Sequence, residues 1–183
     1  RELGPISAQI DRAGEIPRSL LERMAQLGFL SMLTPEVYGG SGLGNFPLAL
    51  VQIEINRACA STGVTMSVHN SLCQSPLVRF GTEEQKKKYL PRLASAEWIG
   101  AYSLSEPVSG TDAAGLITTA TRDGDDYVIK GAKNFVTNGA IADFFVLFAR
   151  TNTDPAAKTS GISAFLLERT MKGCTVGKSE KKM

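Results

Sequence analysis

A single histidine, His69, and three cysteines are all that this 183-residue chain holds of those two types. One histidine nearly excludes both a multi-histidine metal site and a histidine-based triad. Cys59, Cys73 and Cys174 are odd in number and widely spaced. They form neither a metal-ligand pattern nor a disulfide framework, which fits a reducing compartment. No apolar run approaches the roughly 20 residues that span a bilayer. Charge of one sign is lacking too: 20 basic against 18 acidic residues leave a net charge of +2, and no electrostatic case for nucleic acid. Lysines gather at Lys86-Lys87-Lys88 and again at Lys178, Lys181 and Lys182; the first group reads as a solvated face. There is no internal repeat and no low-complexity segment. The chain opens on Arg1 rather than methionine and stops at Lys182-Met183 without a recognisable end. It therefore reads as a fragment, in which any targeting segment would be missing.

The material present is ordinary globular stock, 43% hydrophobic and 21% charged, enough for one large or two small domains. The first hundred residues carry helical periodicity. After Pro17, an apolar stripe at Leu20, Leu21, Met24 and Leu27 predicts a helix that Gly28 ends. A second stripe, Leu48, Val51, Ile55 and Ala58, runs through the segment 46–60. Thr82-Glu83-Glu84-Gln85 is a capping box that opens a helix through about Leu93, with Pro91 tolerable only near its end. Met24, Met32 and Met66 read as core.

Beyond Trp98 the pattern changes to strands. Residues 116–122 are threonine-rich and extended, Asp123-Gly124-Asp125-Asp126 marks a turn, and Tyr127-Val128-Ile129 begins a second strand that Gly131 breaks. Phe135-Val136-Thr137 reads as a further short strand, residues 143–150 as a buried one, and Ile162 to Leu167 as another after a polar loop at 151–160. The switch of period near residue 100 predicts an α+β chain: a helical domain over 1–99, then a β-domain over 100–183.

The segment with the most chemistry runs from Tyr102 to Asp112, Tyr-Ser-Leu-Ser-Glu-Pro-Val-Ser-Gly-Thr-Asp. It crowds hydroxyls, a proline and a glycine between an aromatic and an acid, as suits a loop whose amides and hydroxyls meet a flat polar ligand. Phe135-Val136-Thr137-Asn138 adds a hydroxyl beside an aromatic able to cover a ring. A polar turn with Ser105 or Asp112 capping backbone groups is the plainer alternative. Glu106 has the chemistry of a proton-abstracting base, but a Glu-Pro inside such a loop reads as structural, and Asp112 as a loop-holding acid. Gly39 to Gly44 lacks both the dinucleotide and the P-loop spacing, and reads as an interhelical turn. His69 reads as packed rather than catalytic.

The two segments together resemble the flavin-binding signature of the acyl-CoA dehydrogenase family, a Tyr-x-x-Ser/Thr-Glu-Pro-x-x-Gly-Ser-Asp loop followed by Trp-Ile-Thr-Asn. Pro35 to Gly42, Ser67 to Leu72 and Phe80 to Lys86 also resemble that family, Ser67 to Leu72 most closely its short-chain, butyryl-type members. Phe135 stands for the usual tryptophan, Thr111 for serine, and Ser103 for alanine or cysteine. The resemblance implies a mostly antiparallel, barrel-like β-domain, incomplete here, and a further helical domain absent from this chain. It implies FAD held by Tyr102, Ser103, Leu104, Ser105, Gly110, Thr111, Phe135, Val136 and Thr137. Ser105 would lie near the flavin N1/O2 side, Thr137 would bond N5, and Thr111 would also touch the acyl-CoA substrate. The implied reaction is α,β-dehydrogenation of an acyl-CoA, with hydride passing to flavin N5 and electrons to an electron-transferring flavoprotein. The resemblance further implies a homotetramer, a catalytic base beyond Met183, no turnover by this piece alone, and a cytoplasmic or mitochondrial-matrix setting according to source. A same-fold flavin oxidase or monooxygenase using oxygen, or a non-catalytic acyl-CoA-binding scaffold, is the alternative.

Overall fold

A computed structural model describes residues 2–177 and 179; Lys178, Lys181 and Lys182 of the second lysine cluster lie outside them. Helix α1 (Ser7–Ala13) stops at Gly14, and α2 (Arg18–Gln26) follows Pro17. Leu21 and Met24 of the expected stripe are buried. Leu27 is not: the helix has ended at Gln26, and Leu27 is half exposed before Gly28 turns the chain at φ 77°. Helix α3 (Asn45–Ala58) buries Leu48 and packs Val51 and Ile55 on the core. It also carries Phe46, Leu50 and Ile53 in the open.

Helix α4 (Ala60–Ser67) runs into a π-helical stretch, Val68–Gln74, and then into α5 (Ser75–Phe80). Helix α6 (Glu83–Ala94) opens with the expected capping box: Gln85 N–H donates to Thr82 Oγ1 at 3.2 Å, and Thr82 N–H to Gln85 Oε1 at 2.9 Å. Among the described residues no helix is long and apolar enough to cross a membrane.

Strands begin at β1 (Gly100–Ser103). They continue with β2 (Thr119–Asp123), β3 (Asp126–Lys130), β4 (Phe144–Arg150) and β5 (Ile162–Glu168). The sheet is mixed. β4 pairs antiparallel with β5 over seven residue pairs and β2 with β3 over five, while β1 lies parallel to β4 over four. β2 touches the same edge of β4 further along, at Thr119 and Arg150. β4 is thus the centre, which explains its unbroken apolar run: both faces of a central strand are covered.

One expected strand is corrected. Residues 131–143 form no strand; Phe135 and Asn138 adopt φ 54° and 68°. Positive φ is incompatible with an extended ladder. A turn closes instead, with Gly139 N–H donating to Val136 O and both Ile141 and Ala142 N–H to Asn138 O.

The core links both parts. Met24, Met32 and Met66 join Leu21, Leu30 and Ile99 in one cluster; Cys73, Leu77, Leu90 and Leu93 meet Phe144 and Val146 of β4 in another. Each such fully buried side chain contributes roughly 1.5–3 kcal/mol. The seam between helices and sheet is tight at Gly100, where an added Cβ would run into Cys73 Sγ and lie 3.0 Å from its Cβ. Gly100→Ala is therefore expected to destabilise by about 2 kcal/mol through overpacking, read as a lower thermal midpoint. An unchanged midpoint would mean that the seam can part without loss.

Candidate functional site

Polar side chains of the π-helical stretch fix the ground on which the site stands. His69, buried, receives Gly100 N–H at Nδ1 (3.0 Å) and faces Leu93 O through Nε2 (2.9 Å). Bonding at both nitrogens makes it a neutral imidazole with the proton on Nε2. Burial pushes its pKa down to about 4; the Leu93 bond opposes this and Arg18 adds to it. Gln74, fully buried, donates to Leu30 O and His69 O and accepts from the hydroxyls of Ser31 and Thr34. Asn70 donates to Phe29 O and Met66 O and accepts from Met32 N–H. His69 is thus a packed histidine, as its sequence setting predicts. Burial pushes the Cys73 thiol up, away from nucleophilic use.

From that base β1 delivers Tyr102, whose ring meets Phe148 at 5.1 Å. The loop after β1 closes on itself: Glu106 and Ser109 exchange backbone bonds at 2.8 and 3.1 Å, and Ser109 Oγ donates to Asp112 O at 2.6 Å. A second wall comes from residues 133–137. Asn134 N–H donates to Ser105 O at 2.8 Å. Asn138 Nδ2 reaches Thr65 O and Gly100 O, tying this wall to α4 and β1.

Between the walls lies a cavity of about 120 Å³ lined by Val68, Leu72, Tyr102, Leu104, Ser105, Asn134, Phe135 and Thr137. Five of the nine candidate cofactor residues meet there: Tyr102, Leu104, Ser105, Phe135 and Thr137. The other four lie outside its lining. Ser103 is buried at the end of β1, Gly110 and Thr111 sit exposed on the loop, and Val136 packs toward Ala101 and Phe145. The hydroxyls of Ser105 and Thr137 have no hydrogen-bond partner among the described residues. Phe135 is 70% exposed at the cavity's edge, and a bulky residue at positive φ costs about 1–3 kcal/mol. Strain of this kind gathers where a side chain is held for use.

Glu106 is not available as a base. Its buried carboxylate accepts from Ile117 N–H (2.6 Å), Thr118 N–H (3.0 Å) and Lys133 Nζ (2.6 Å). Burial alone would raise its pKa, but the Lys133 ammonium and the two amides outweigh it and hold the group down to about 2. Lys133, 6% exposed at its side chain, also donates to Leu104 O at 3.1 Å. Sequence reasoning missed Lys133 and Asn134. The one signal was a lysine two residues before the aromatic, which burial would oblige to find a carboxylate.

The cavity suits one edge of a flat heteroaromatic ring: two aromatics flank it and two unengaged hydroxyls face polar atoms of either kind. That is the chemistry a flavin edge requires.

Comparison with known proteins bears on both parts of the chain. The description "Acyl-CoA dehydrogenase, N-terminal domain" matches residues 1–97, and "Acyl-CoA dehydrogenase, middle domain" matches residues 101–183. The chain is 44% identical over 182 residues to a short-chain specific acyl-CoA dehydrogenase of Clostridium acetobutylicum, covering 100% of this chain and 48% of that one. It superposes on butyryl-CoA dehydrogenase from Megasphaera elsdenii with a TM-score of 0.91 at 38% identity, covering 100% of this chain and 48% of that one. A chain in a structure of the electron transferring flavoprotein of Acidaminococcus fermentans gives 0.93 at 42%, over 98% of this chain and 47% of that one. The chain therefore spans about half the length of the relatives it matches. The two matched descriptions lie on either side of the change of period near residue 100, and the chain belongs to the acyl-CoA dehydrogenase family.

Proposed function

We propose that this chain is the flavin-cradling part of an FAD-dependent dehydrogenase acting on a short-chain acyl-CoA thioester. The observation that carries this reading is the convergence of Tyr102, Ser105, Phe135 and Thr137 on one cavity from two separate segments, β1 with its following loop and the 133–137 wall, with both hydroxyls unengaged among the described residues. Flavin, when bound, supplies a two-electron acceptor for the β-hydrogen of the substrate. Ser105 and Thr137 would hold its polar edge, Tyr102 and Phe135 would cover ring surface, and Leu104 with Val68 and Leu72 would exclude water. Ser103, Gly110, Thr111 and Val136 belong to the same two segments, Thr111 standing on the loop as a substrate-side hydroxyl. No base is assigned to these residues, since Glu106 is occupied by three donors, and turnover by residues 1–183 alone is not expected. The helical part to residue 99 and the strand part from 100 would act as two units of one protein. A homotetramer and an electron-transferring flavoprotein as electron acceptor complete the proposal; the likeness to the Acidaminococcus chain supports the latter.

The test is the visible spectrum of the intact protein before and after anaerobic addition of butyryl-CoA. Flavin bands that bleach with substrate are expected. Absence of flavin would refute the cradle, and would favour an acyl-CoA-binding scaffold. Bound flavin that ignores thioesters but whose reduced form consumes oxygen rapidly would move the chemistry to an oxidase.

A further inference from the structure

Buried ion pairs are weak devices for stability, because the desolvation of both charges offsets much of their attraction. The Lys133–Glu106 pair is nevertheless almost wholly enclosed, with 6% and 1% of the two side chains exposed and 2.6 Å between Nζ and Oε1. Its position explains what it does. Lys133 precedes Asn134 and Phe135 on one cavity wall; Glu106 follows Leu104 and Ser105 on the other. Three bonds join the walls: Lys133 to Glu106, Lys133 to Leu104 O, and Asn134 N–H to Ser105 O. Glu106 is itself anchored by the amides that lead into β2. Leu104 and Ser105 are thus held through both of their carbonyls, and the unengaged Ser105 hydroxyl is presented from a rigid support.

We propose that Lys133 and Glu106 are positioning residues that hold the two cavity walls in register and keep the charge beside the bound redox ring balanced. The proposal rests on the flavin reading above. A ring that gains negative charge on reduction responds to any unbalanced charge near it, and little solvent is present here to screen one. Removing either partner alone therefore acts in opposite directions on the reduced state, whereas loosening of the walls acts in the same direction for both.

The experiment is a set of four variants of the intact protein: Glu106→Gln, Lys133→Met, the two combined, and Lys133→Arg. For each, the FAD dissociation constant and the reduction potential of the bound flavin are measured. Glu106→Gln, which leaves the cation unopposed, is expected to raise the affinity for reduced over oxidised flavin about tenfold, or about 30 mV for a two-electron couple. Lys133→Met is expected to lower it about tenfold. The combined variant should return to within about threefold of the unmodified protein, and Lys133→Arg should keep its potential. All single variants should weaken FAD binding, Lys133→Arg least. Equal shifts of one sign in both single variants, or no shift in Glu106→Gln, would overturn the proposal. If Lys133→Met does not fold, the Glu106→Gln shift measured against Lys133→Arg still decides. An unmodified protein without flavin would refute the flavin reading instead, a separate outcome from flavin bound at unmoved potentials.

Discussion

Replacing Gln74 by alanine is expected to destabilise the fold by about 4 kcal/mol. The side chain is fully buried and serves four partners: Leu30 O, His69 O, Ser31 Oγ and Thr34 Oγ1. Truncation strands all four, and each unsatisfied buried polar group costs about 1–3 kcal/mol. The hydroxyls can turn to other acceptors and a water can enter, so the sum stays below the full total. Against a typical stability of about 5–15 kcal/mol this is a large fraction. The urea midpoint should fall with an unchanged slope. A loss under about 1 kcal/mol would mean that the 29–34 segment does not depend on Gln74. The conservative-looking Gln74→Glu should be nearly as harmful, because a carboxylate cannot donate to the two carbonyls and brings charge into a dry site.

Acidification provides the second large effect. Burial holds the His69 pKa down to about 4, against an ordinary value of 6.5. Above pH 6.5 the ring is neutral whether the chain is folded or not, and its full contribution is present. Between 6.5 and about 4 the unfolded chain binds a proton that the folded chain refuses, so stability falls with pH. At 1.36 kcal/mol per unit the loss amounts to roughly 3 kcal/mol. Glu106 acts lower down. Its depressed pKa contributes stability that is whole above 4.5 and disappears as pH falls toward about 2. Denaturation curves measured from pH 7.5 to 4 should show the first decline, and His69→Gln should flatten it from a lower starting stability. A wild-type curve level down to pH 5 would place the His69 pKa elsewhere.

Much of this architecture was legible in the sequence because local physics and tertiary structure agree there. The Leu21 and Met24 stripe, the Thr82 capping box and the apolar run of β4 each carry their own signal. Phe135-Val136-Thr137 misled because aromatic and β-branched residues favour strands, while the turn that presents Phe135 requires a positive φ that no propensity announces. Leu27 kept the helical period one residue beyond a helix that had already ended. The parallel match of β1 and β4 was hidden because the connection between them is a hairpin excursion rather than the usual crossover helix. In the site, the loop hydroxyls and the aromatic at the cavity's edge were legible as chemistry. Lys133 was not, since a lysine gives no sequence sign of being buried until its carboxylate is found 27 residues away.

The central place of β4 also orders the assembly of the molecule in time. Its turnward end meets β5 across 12 residues, from Arg150 to Ile162, whereas every pairing with β1 spans 44, as from Gly100 to Phe144. Loop-closure entropy makes the longer connection dearer by about 1 kcal/mol, so the β4–β5 hairpin can form well before β1 arrives. The cavity walls hang from β1 and from the turn that precedes β4, and the side-chain bonds of Lys133 between them close loops of 27 and 29 residues, both longer than that of the hairpin. A ligand between them stabilises the finished fold and has no template to offer the chain on its way there.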